Sequence, residues 1–274
     1  MMDSGVLDTS AGGFCRAHAL LMARLSDLAY ANEDLISEEL KNSGYKTCDR
    51  FFFEDTQTHT QGYIASTDDH LVIAFRGTEE LLDDWLSNLK IGFLPWQSGD
   101  GKAQVHEGFL VALDSVWQQL MELIECHRTS NQSVWITGHS LGGALAVLTA
   151  ARLSDENPEL TIAATYTFAQ PRVGNKAFAQ KLKPVVSNAI YRVVNEGDMV
   201  AELPPRRMGY RHIGHLERIT DAGEILEDYQ PCWFARLWHR LKEYAPLVRL
   251  LESAMNDMEE HRLDSYIAVL DRDS

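Results

Sequence analysis

The sequence predicts an α/β fold with a mostly parallel central sheet and helices on both faces. Apolar runs of strand length alternate with stretches in which apolar residues recur at helical spacing, and short connections join them. The runs 133–139, 161–169 and 189–195 are almost continuously apolar. Strands of a parallel sheet have this composition because helices cover both of its faces. We therefore expect one α/β domain over residues 1–274.

The individual elements follow from hydrophobic periodicity. Residues 14–30 and 33–41 carry apolar residues at helical spacing and predict an N-terminal helix pair. Residues 62–67 and 70–77 are strand-like runs separated by an Asp-Asp pair, which predicts a hairpin or two adjacent strands. The later elements are expected as helix 107–127, strand 133–139, helix 140–155, strand 161–169, helix 175–183 with Asn175 as its N-cap, strand 189–195, a strand-like stretch at 209–219 and a short helix after His261.

One stretch departs from this alternation. Residues 228–255 read as helix, and we expect a helical insertion over 221–260 within the same domain. Its Trp233, Phe234 and Trp238 either pack on the core or form an amphipathic face that contacts lipid.

Composition limits the classes of partner. The chain has 274 residues, of which 45% are hydrophobic, and its formal net charge is −15. So acidic a surface disfavours nonspecific binding to nucleic acid or to an anionic membrane face. No apolar run approaches the roughly 20 residues that a membrane-spanning helix needs. We therefore expect no nucleic-acid partner and no transmembrane segment, whereas contact with neutral lipid is compatible with this composition.

The N-terminal segment and the cysteines give an expectation for the cellular location of the protein. Residues 1–30 lack a basic segment followed by an uninterrupted apolar run, so no signal peptide is predicted. We expect a cytoplasmic protein, with peripheral association at a lipid surface. Neither a disulfide framework nor a zinc site is predicted from the four widely spaced cysteines, Cys15, Cys48, Cys126 and Cys232.

The stretch 134–147, "VWITGHSLGGALAV", predicts a nucleophile. Ser140 lies between Gly138 and Gly142 where a strand becomes a helix, which is the context of a G-x-S-x-G nucleophile elbow. The turn is so tight that the serine takes a strained backbone conformation and the flanking glycines avoid a clash. The first amides of the following helix then point toward the serine and can stabilise an oxyanion.

A serine nucleophile needs a base, and the base needs an orienting acid. With this motif the chain order is Ser, then Asp or Glu, then His. Asp198 is the predicted acid, since it lies in a glycine-containing loop just beyond a strand, and Glu196 in the same loop is the alternative. Asp155 and Glu156 are poor candidates because they lie at the far end of the helix that follows Ser140.

Four histidines follow the predicted acid along the chain. His261 is the preferred base, because it lies where a loop enters the short helix that ends the chain. His212 and His215, in a strand-like stretch, are the alternatives. His239 lies on a predicted helix among arginines and a tryptophan, where a surface role is expected.

Six sequence blocks occur in an order that is specific to one family. They are "VIAFRGTE", "VHEGF", "TGHSLGGALA", "TFAQPRVGN", "NEGDMVAELPP" and "HRLDSY". In this order they resemble the class 3 lipases, a family that includes fungal triacylglycerol lipases and diacylglycerol lipases. The resemblance covers roughly residues 15–220 and the segment around His261.

The resemblance implies an α/β-hydrolase fold and a role for each matching residue. It implies Ser140 as nucleophile, Asp198 as acid and His261 as base. Thr78, after the Arg-Gly pair, and Leu141 would supply the backbone amides of an oxyanion hole. Two converging amide donors are what a developing oxyanion requires.

Residues 79–90 match the position of the family's lid. Leu82, Trp85 and Leu86 fall on one face at helical spacing, with acidic and polar residues on the other. Such a helix would cover the serine in water and turn its apolar face to a lipid surface. An ordinary surface helix packed on the core is the alternative.

The chain departs from the family pattern at three points. Ala201 stands where the acid loop usually has proline, and Asn88 stands where an aspartate is common after the lid. The disulfides of the secreted fungal members have no evident counterpart, so their secreted role does not carry over.

The resulting hypothesis is a serine hydrolase that cleaves carboxylic ester bonds of lipids at a lipid–water interface, with no cofactor and no metal. A phospholipase and a soluble-ester esterase of the feruloyl type are alternatives within this class. A non-catalytic interaction scaffold, like the lipase-like proteins of plant immune signalling, is the alternative from a different class.

Overall fold

The computed structural model describes residues 2, 7–8, 13–46, 50–77, 92–96, 101–129, 132–182, 189–220, 222–227 and 261–272. Helices in this part are α1 (Arg16–Leu28), α2 (Glu33–Asn42), α3 (Glu107–His127), α4 (Leu141–Glu156), α5 (Lys176–Leu182) and α6 (Leu263–Leu270). Strands in this part are β1 (Phe52–Asp55), β2 (Thr60–Ser66), β3 (His70–Phe75), β4 (Phe93–Pro95), β5 (Gln104–His106), β6 (Ser133–His139), β7 (Ile162–Phe168), β8 (Gly174–Asn175), β9 (Ile190–Asn195), β10 (Tyr210–Arg211), β11 (His215–Ile219) and β12 (Ile225–Glu227).

The main sheet is mostly parallel, as predicted. Among the described residues its strand order is β1-β2-β3-β6-β7-β9-β11-β12. The inner strands β3, β6, β7, β9 and β11 pair in parallel, whereas β1, β2 and β12 are antiparallel at the two edges. The ends of β6, β7 and β9 therefore meet at one edge of the sheet, where ligands of open α/β sheets bind.

Helices cover both faces of the sheet because its inner strands are buried on both sides. In β3, Leu71 and Ile73 face one hydrophobic cluster with α3 and α4, while Val72 and Ala74 face a second cluster with α1 and α6. The near-continuous apolar composition of these strands is the direct consequence.

Two predicted segments differ from the structure. The stretch 209–219, expected as one strand, is two strands in different sheets: β10 belongs to a small sheet of order β10-β8-β5-β4, and β11 belongs to the main sheet. Gly214, with φ +88°, separates them because this conformation lies outside the strand region. The predicted helical insertion 221–260 does not begin as helix, since Ile225–Glu227 pair antiparallel with β11. Its remainder from 228 to 260 lies outside the described residues.

Helix α1 fixes the position of the C-terminal helix. Arg16 donates from Nη2 to the carbonyl of Val269 (2.5 Å) and from Nε to that of Leu270 (3.1 Å). The last carbonyls of a helix have no partner inside it, so this side chain satisfies them. Helix α1 is itself tied to the sheet by Thr137, whose hydroxyl donates to the carbonyl of Met22 (3.0 Å). Helix α6 starts two residues after His261, so α1 also sets where that histidine lies. No helix of the described part is long and apolar enough to cross a membrane.

We expect Arg16→Met to lower the free energy of unfolding by about 1–3 kcal/mol, because two hydrogen bonds from a charged donor are lost. Arg24→Met is the matched control. Arg24 pairs with Asp271 in a half-exposed ion pair (2.9 Å), whose loss should cost less than about 1 kcal/mol. Urea unfolding measures both, and equal losses would contradict the docking role of Arg16.

Candidate active site

Ser140 occupies a strained turn between β6 and α4. Its backbone has φ 55° and ψ −124°, in a region that residues with a Cβ rarely adopt. Three backbone hydrogen bonds hold it there: its amide donates to the carbonyl of Phe168 (2.9 Å), and its carbonyl accepts from the amides of Gly143 (3.0 Å) and Ala144 (3.3 Å). The side chain is thereby fixed at the sheet edge where β6 and β7 end.

The flanking glycines are required by close approach, as predicted. A Cβ on Gly138 would lie 2.3 Å from the carbonyl carbon and oxygen of Gly142. A Cβ on Gly142 would lie 2.5 Å from the carbonyl oxygen of Phe75, at the end of β3. Both contacts are with backbone atoms that cannot move aside, so the strand and the helix pack together only with glycine at both positions.

Asp198 follows β9 and is buried with its carboxylate fully engaged. Oδ1 accepts from the amide of Val200 (2.9 Å), and Oδ2 accepts from the hydroxyl of Tyr266 (2.6 Å). The amide of Asn195 donates to the same tyrosine oxygen (3.1 Å), so the hydroxyl proton is free to point at Asp198. Tyr266 belongs to α6, and this contact therefore links the acid loop to the C-terminal helix.

The structure brings His261 into direct contact with Asp198. Its Nδ1 lies 3.1 Å from both carboxylate oxygens, and both side chains are buried. Because an ionised carboxylate only accepts, Nδ1 carries the proton and Nε2 is the basic nitrogen. Nε2 is buried and has no hydrogen-bond partner among the described residues. In the absence of substrate, hydrogen bonds of a catalytic base are often long or unformed.

The alternatives weighed from the sequence occupy other positions. Glu196 is partly exposed, and its amide pairs with the carbonyl of Ile219 (2.9 Å), which continues the sheet. His212 is hydrogen-bonded through Nε2 to the carbonyl of Ala201 (2.9 Å). Burial, with Arg192 and Arg172 nearby, lowers the pKa of His212 well below its usual value. The structure therefore supports neither Glu196 nor His212 in the predicted roles.

His215 is the second alternative base, and His239 is the histidine for which a surface role is expected. His215 lies in β11 with its ring stacked on Tyr191, at 5.9 Å between centroids. His239 lies outside the described residues.

Arg172 braces the loop that carries Asp198. Its side chain donates to the carbonyls of Glu202 and Pro204 and pairs with the carboxylate of Glu202, while its amide donates to the carbonyl of Leu203 (2.6 Å). Sequence reasoning assigned no role to Arg172, although it lies in the "PRVGN" block. The same holds for Tyr266, which ends "HRLDSY".

The predicted oxyanion residues are described only in part. Leu141 is the first residue of α4, so its amide is one of the unpaired donors at a helix N-terminus. Thr78 and the predicted lid residues Leu82, Trp85 and Leu86 lie outside the described residues. Gly77, immediately before Thr78, does lie beside the turn, since a Cβ there would be 3.4 Å from the Cβ of Ser140.

Within the described ranges no three His, Cys, Asp or Glu side chains are grouped to hold a metal ion. Cys15 and Cys126 are free thiols, and the other two cysteines lie outside those ranges.

Comparison with known proteins bears directly on this geometry. A family model described as "Lipase (class 3)" matches residues 72–208, which is half of the chain and spans β6, Ser140 and Asp198. The chain belongs to the class 3 lipase family. The "Secreted mono- and diacylglycerol lipase 1" of Fusarium solani is 33% identical over 178 residues, or 64% of this chain and 51% of that protein. A "Lipase" of Rhizomucor miehei is 36% identical over 157 residues, or 55% of this chain and 42% of that protein. The chain thus spans about half the length of these curated relatives.

Solved structures extend the similarity to the fold. The triacylglyceride lipase of Rhizomucor miehei aligns with a TM-score of 0.67 at 26% identity, covering 77% of this chain and 82% of that one. A triacylglycerol lipase described as having a serine protease triad at its catalytic centre aligns with a TM-score of 0.66 at 26% identity, covering 79% of this chain and 85% of that one. The prediction of an α/β-hydrolase fold is thereby confirmed.

We expect Ser140→Gly to be more stable than Ser140→Ala by about 0.5–2 kcal/mol. Glycine normally destabilises regular structure relative to alanine, but here it relieves a strained positive φ that costs about 1–3 kcal/mol. Ala144→Gly, inside α4, is the control and should show the ordinary sign, a loss of about 1 kcal/mol or more. Chemical denaturation of the three variants measures this, and an alanine variant as stable as the glycine variant would show that the turn is unstrained.

Proposed function

We propose that this class 3 lipase chain hydrolyses carboxylic ester bonds of lipids, with Ser140 as nucleophile, His261 as general base and Asp198 as its orienting acid. The observation that supports this most is the buried contact between Nδ1 of His261 and both oxygens of Asp198, at 3.1 Å. It directs the basic Nε2 away from the acid. The position of Ser140 supports the proposal as well. Ser140 directly follows His139, and the ring of His139 is hydrogen-bonded to the backbone carbonyl of His261.

The reaction follows from these positions. The hydroxyl oxygen of Ser140 attacks the ester carbonyl while Nε2 of His261 takes its proton, which gives a tetrahedral oxyanion and an imidazolium. The imidazolium then donates that proton to the departing alcohol, and an acyl-enzyme remains. Water, activated by the same nitrogen, attacks the acyl group and releases fatty acid and free serine. No step draws on a cofactor.

The oxyanion would rest on the amides of Leu141 and Thr78. The amide of Leu141 lies at the N-terminus of α4, where the helix dipole also favours negative charge. Removal of one such donor typically costs about 100- to 1000-fold in rate.

Asp198 would hold the base in one tautomer and stabilise its positive charge. The carboxylate accepts from Val200 and Tyr266 as well as from His261, so it is compensated although it is buried. These hydrogen bonds hold the carboxylate in place beside His261. His261 is thereby held with its proton on Nδ1 in every turnover.

We propose acylglycerols as the substrate class, and the names of two relatives support this choice. The Fusarium solani relative is named for mono- and diacylglycerols, and the Rhizomucor miehei structure is of a triacylglyceride lipase. The acyl chain and the number of acyl groups depend on a pocket whose predicted lid lies outside the described residues. Cytoplasmic location also stays a prediction, since the Fusarium solani relative is named as secreted.

The decisive experiment presents the protein with a mixed emulsion of tri-, di- and monoacylglycerols, phospholipids and galactolipids. Mass spectrometry of released fatty acid and residual lipid identifies which lipid is consumed. Ser140-dependent loss of acylglycerol supports the proposal, and loss of phospholipid alone would make the chain a phospholipase. If no lipid is lost, a 4-nitrophenyl ester and a fluorophosphonate probe distinguish a soluble-ester esterase from a non-catalytic scaffold.

We expect Asp198→Asn to lower kcat by about 10³- to 10⁴-fold, because an amide cannot hold His261 in the required tautomer. Glu196→Gln is the matched control, two residues away in the same loop, and should stay within about twofold of wild type. Both are measured on a soluble 4-nitrophenyl ester. A larger loss in the Glu196 variant would mean that the acid has been misassigned.

We expect Trp85→Ala to lower activity on emulsified lipid by about tenfold or more while leaving hydrolysis of a soluble ester within about twofold. The reason is that an apolar lid residue contributes to adsorption and opening at the lipid surface, not to the chemistry. Trp117→Ala, on the half-buried surface of α3, is the control for loss of a tryptophan. Equal losses on both substrates would argue for a packed surface helix in place of a lid.

A further inference from the structure

We infer that His139 is a positioning residue that holds the backbone of His261, and that Tyr30 holds the ring of His139 in place through Nδ1. The inference rests on the proposed function, because it concerns the base of that reaction. A second buried histidine, His139, directly precedes the nucleophile and contacts His261, and it has no part in the reaction described above.

The hydrogen bonds of His139 fix its tautomer. Nε2 lies 2.7 Å from the backbone carbonyl oxygen of His261, and Nδ1 lies 2.7 Å from the hydroxyl oxygen of Tyr30. A carbonyl only accepts, so Nε2 must carry the proton. Nδ1 is then the acceptor and Tyr30 the donor, and both ring nitrogens are satisfied. Removal of the tyrosine hydroxyl would leave Nδ1, a buried acceptor, unpaired and would release the side of the ring opposite the His261 contact.

His139 stays neutral beside the base. Burial, together with the nearby His261, lowers the pKa of His139 to about 3. The two imidazole rings are 4.6 Å apart at 39°, so a cation on His139 would oppose the imidazolium that forms on His261. Asp198 acts in the opposite direction and favours the charged form of His139, but burial outweighs it. His139 is therefore a neutral hydrogen-bond donor at neutral pH.

Tyr30 is itself held by the turn that leads to the predicted oxyanion residue. A Cβ on Gly77 would lie 2.3 Å from the hydroxyl oxygen of Tyr30 and 2.6 Å from the carbonyl oxygen of His139. The guanidinium of Arg76 lies 5.7 Å from the centre of the Tyr30 ring, and its Nη1 donates to the side chain of Gln61 (2.7 Å). Tyr30 thus joins the end of α1 to the end of β3 and, through His139, to the base.

The position of the hydrogen bond between His139 and His261 explains why its loss would lower kcat. The acceptor is the carbonyl of His261 itself, at the entry to α6, while the ring of His261 is held separately by Asp198. Two anchors, one on the backbone and one on Nδ1, define where Nε2 points. Loss of the backbone anchor would leave the Asp198 contact intact and misdirect Nε2, and small misplacements of a catalytic group cost large factors in rate.

The test compares His139→Phe, His139→Gln and Tyr30→Phe with wild type on 4-nitrophenyl butyrate, with kcat and KM measured from pH 5 to 9. We expect His139→Phe to lower kcat by about tenfold or more with KM within about twofold. His139→Gln keeps an amide that can donate to the same carbonyl, and should recover kcat to within about threefold of wild type. Tyr30→Phe should fall between the two.

A tautomer measurement on the wild type keeps the test decisive if His139→Phe does not fold. Nitrogen NMR of protein labelled in histidine should show a His139 signal with the proton on Nε2 and no titration from pH 5 to 9. A proton on Nδ1, a titration in this range, or a folded His139→Phe variant with kcat within twofold of wild type would overturn the positioning role. If the wild type hydrolyses no ester and takes up no fluorophosphonate, the proposed function itself fails, which these variants cannot mimic.

Discussion

The close crossing of β6 into α4 is the constraint on which the rest of the site depends. The carbonyl of Gly142 and the position where Gly138 would carry a side chain lie 2.3 Å apart, so strand and helix meet without any side chain between them. Ser140 is left in a strained backbone conformation, its side chain does not cap α4, and contacts with the surrounding backbone hold it. Any residue that reacts with Ser140 must therefore be brought to a fixed point, because the serine cannot move toward it.

The order of strands brings the other residues to that point. Strands β7 and β9 follow β6 across the sheet in parallel, so the loop after β9 that carries Asp198 emerges at the same edge as Ser140. His261 comes from the far end of the chain and depends on α6, which Arg16 and Tyr266 attach to α1 and to the acid loop. Ser140 is positioned by a rigid turn, whereas long-range hydrogen bonds position Asp198 and His261.

Features that depend on neighbouring residues could be predicted from the sequence. Features that depend on contacts between distant segments could not. Helix 107–127 and strand 133–139 were predicted with the bounds that the structure has, because their periodicity and flanking residues are local signals. The division of 209–219 between two sheets was not, since it depends on which distant strand each half pairs with. The same reason applies to Tyr266 and Tyr30: nothing in a single sequence states which carboxylate or imidazole a tyrosine will meet. The predicted acid and base emerged from motif order, and the structure puts these two side chains in contact.

His139 and His261 are in contact in this site, but one stays neutral and the other accepts a proton during the proposed reaction. Their surroundings determine this difference. His261 has an acceptor on Nδ1, the carboxylate of Asp198, which stabilises positive charge on the ring. His139 has the hydroxyl of Tyr30 at Nδ1 and a carbonyl at Nε2, and neither partner carries a negative charge. Protonation of His139 would place a charge in a buried site and repel the imidazolium whose ring centre is 4.6 Å away. Since the ring is the same in both residues, the contrast between a base and a neutral anchor comes from their surroundings: a carboxylate at Nδ1 of His261, and burial with an uncharged hydroxyl at Nδ1 of His139.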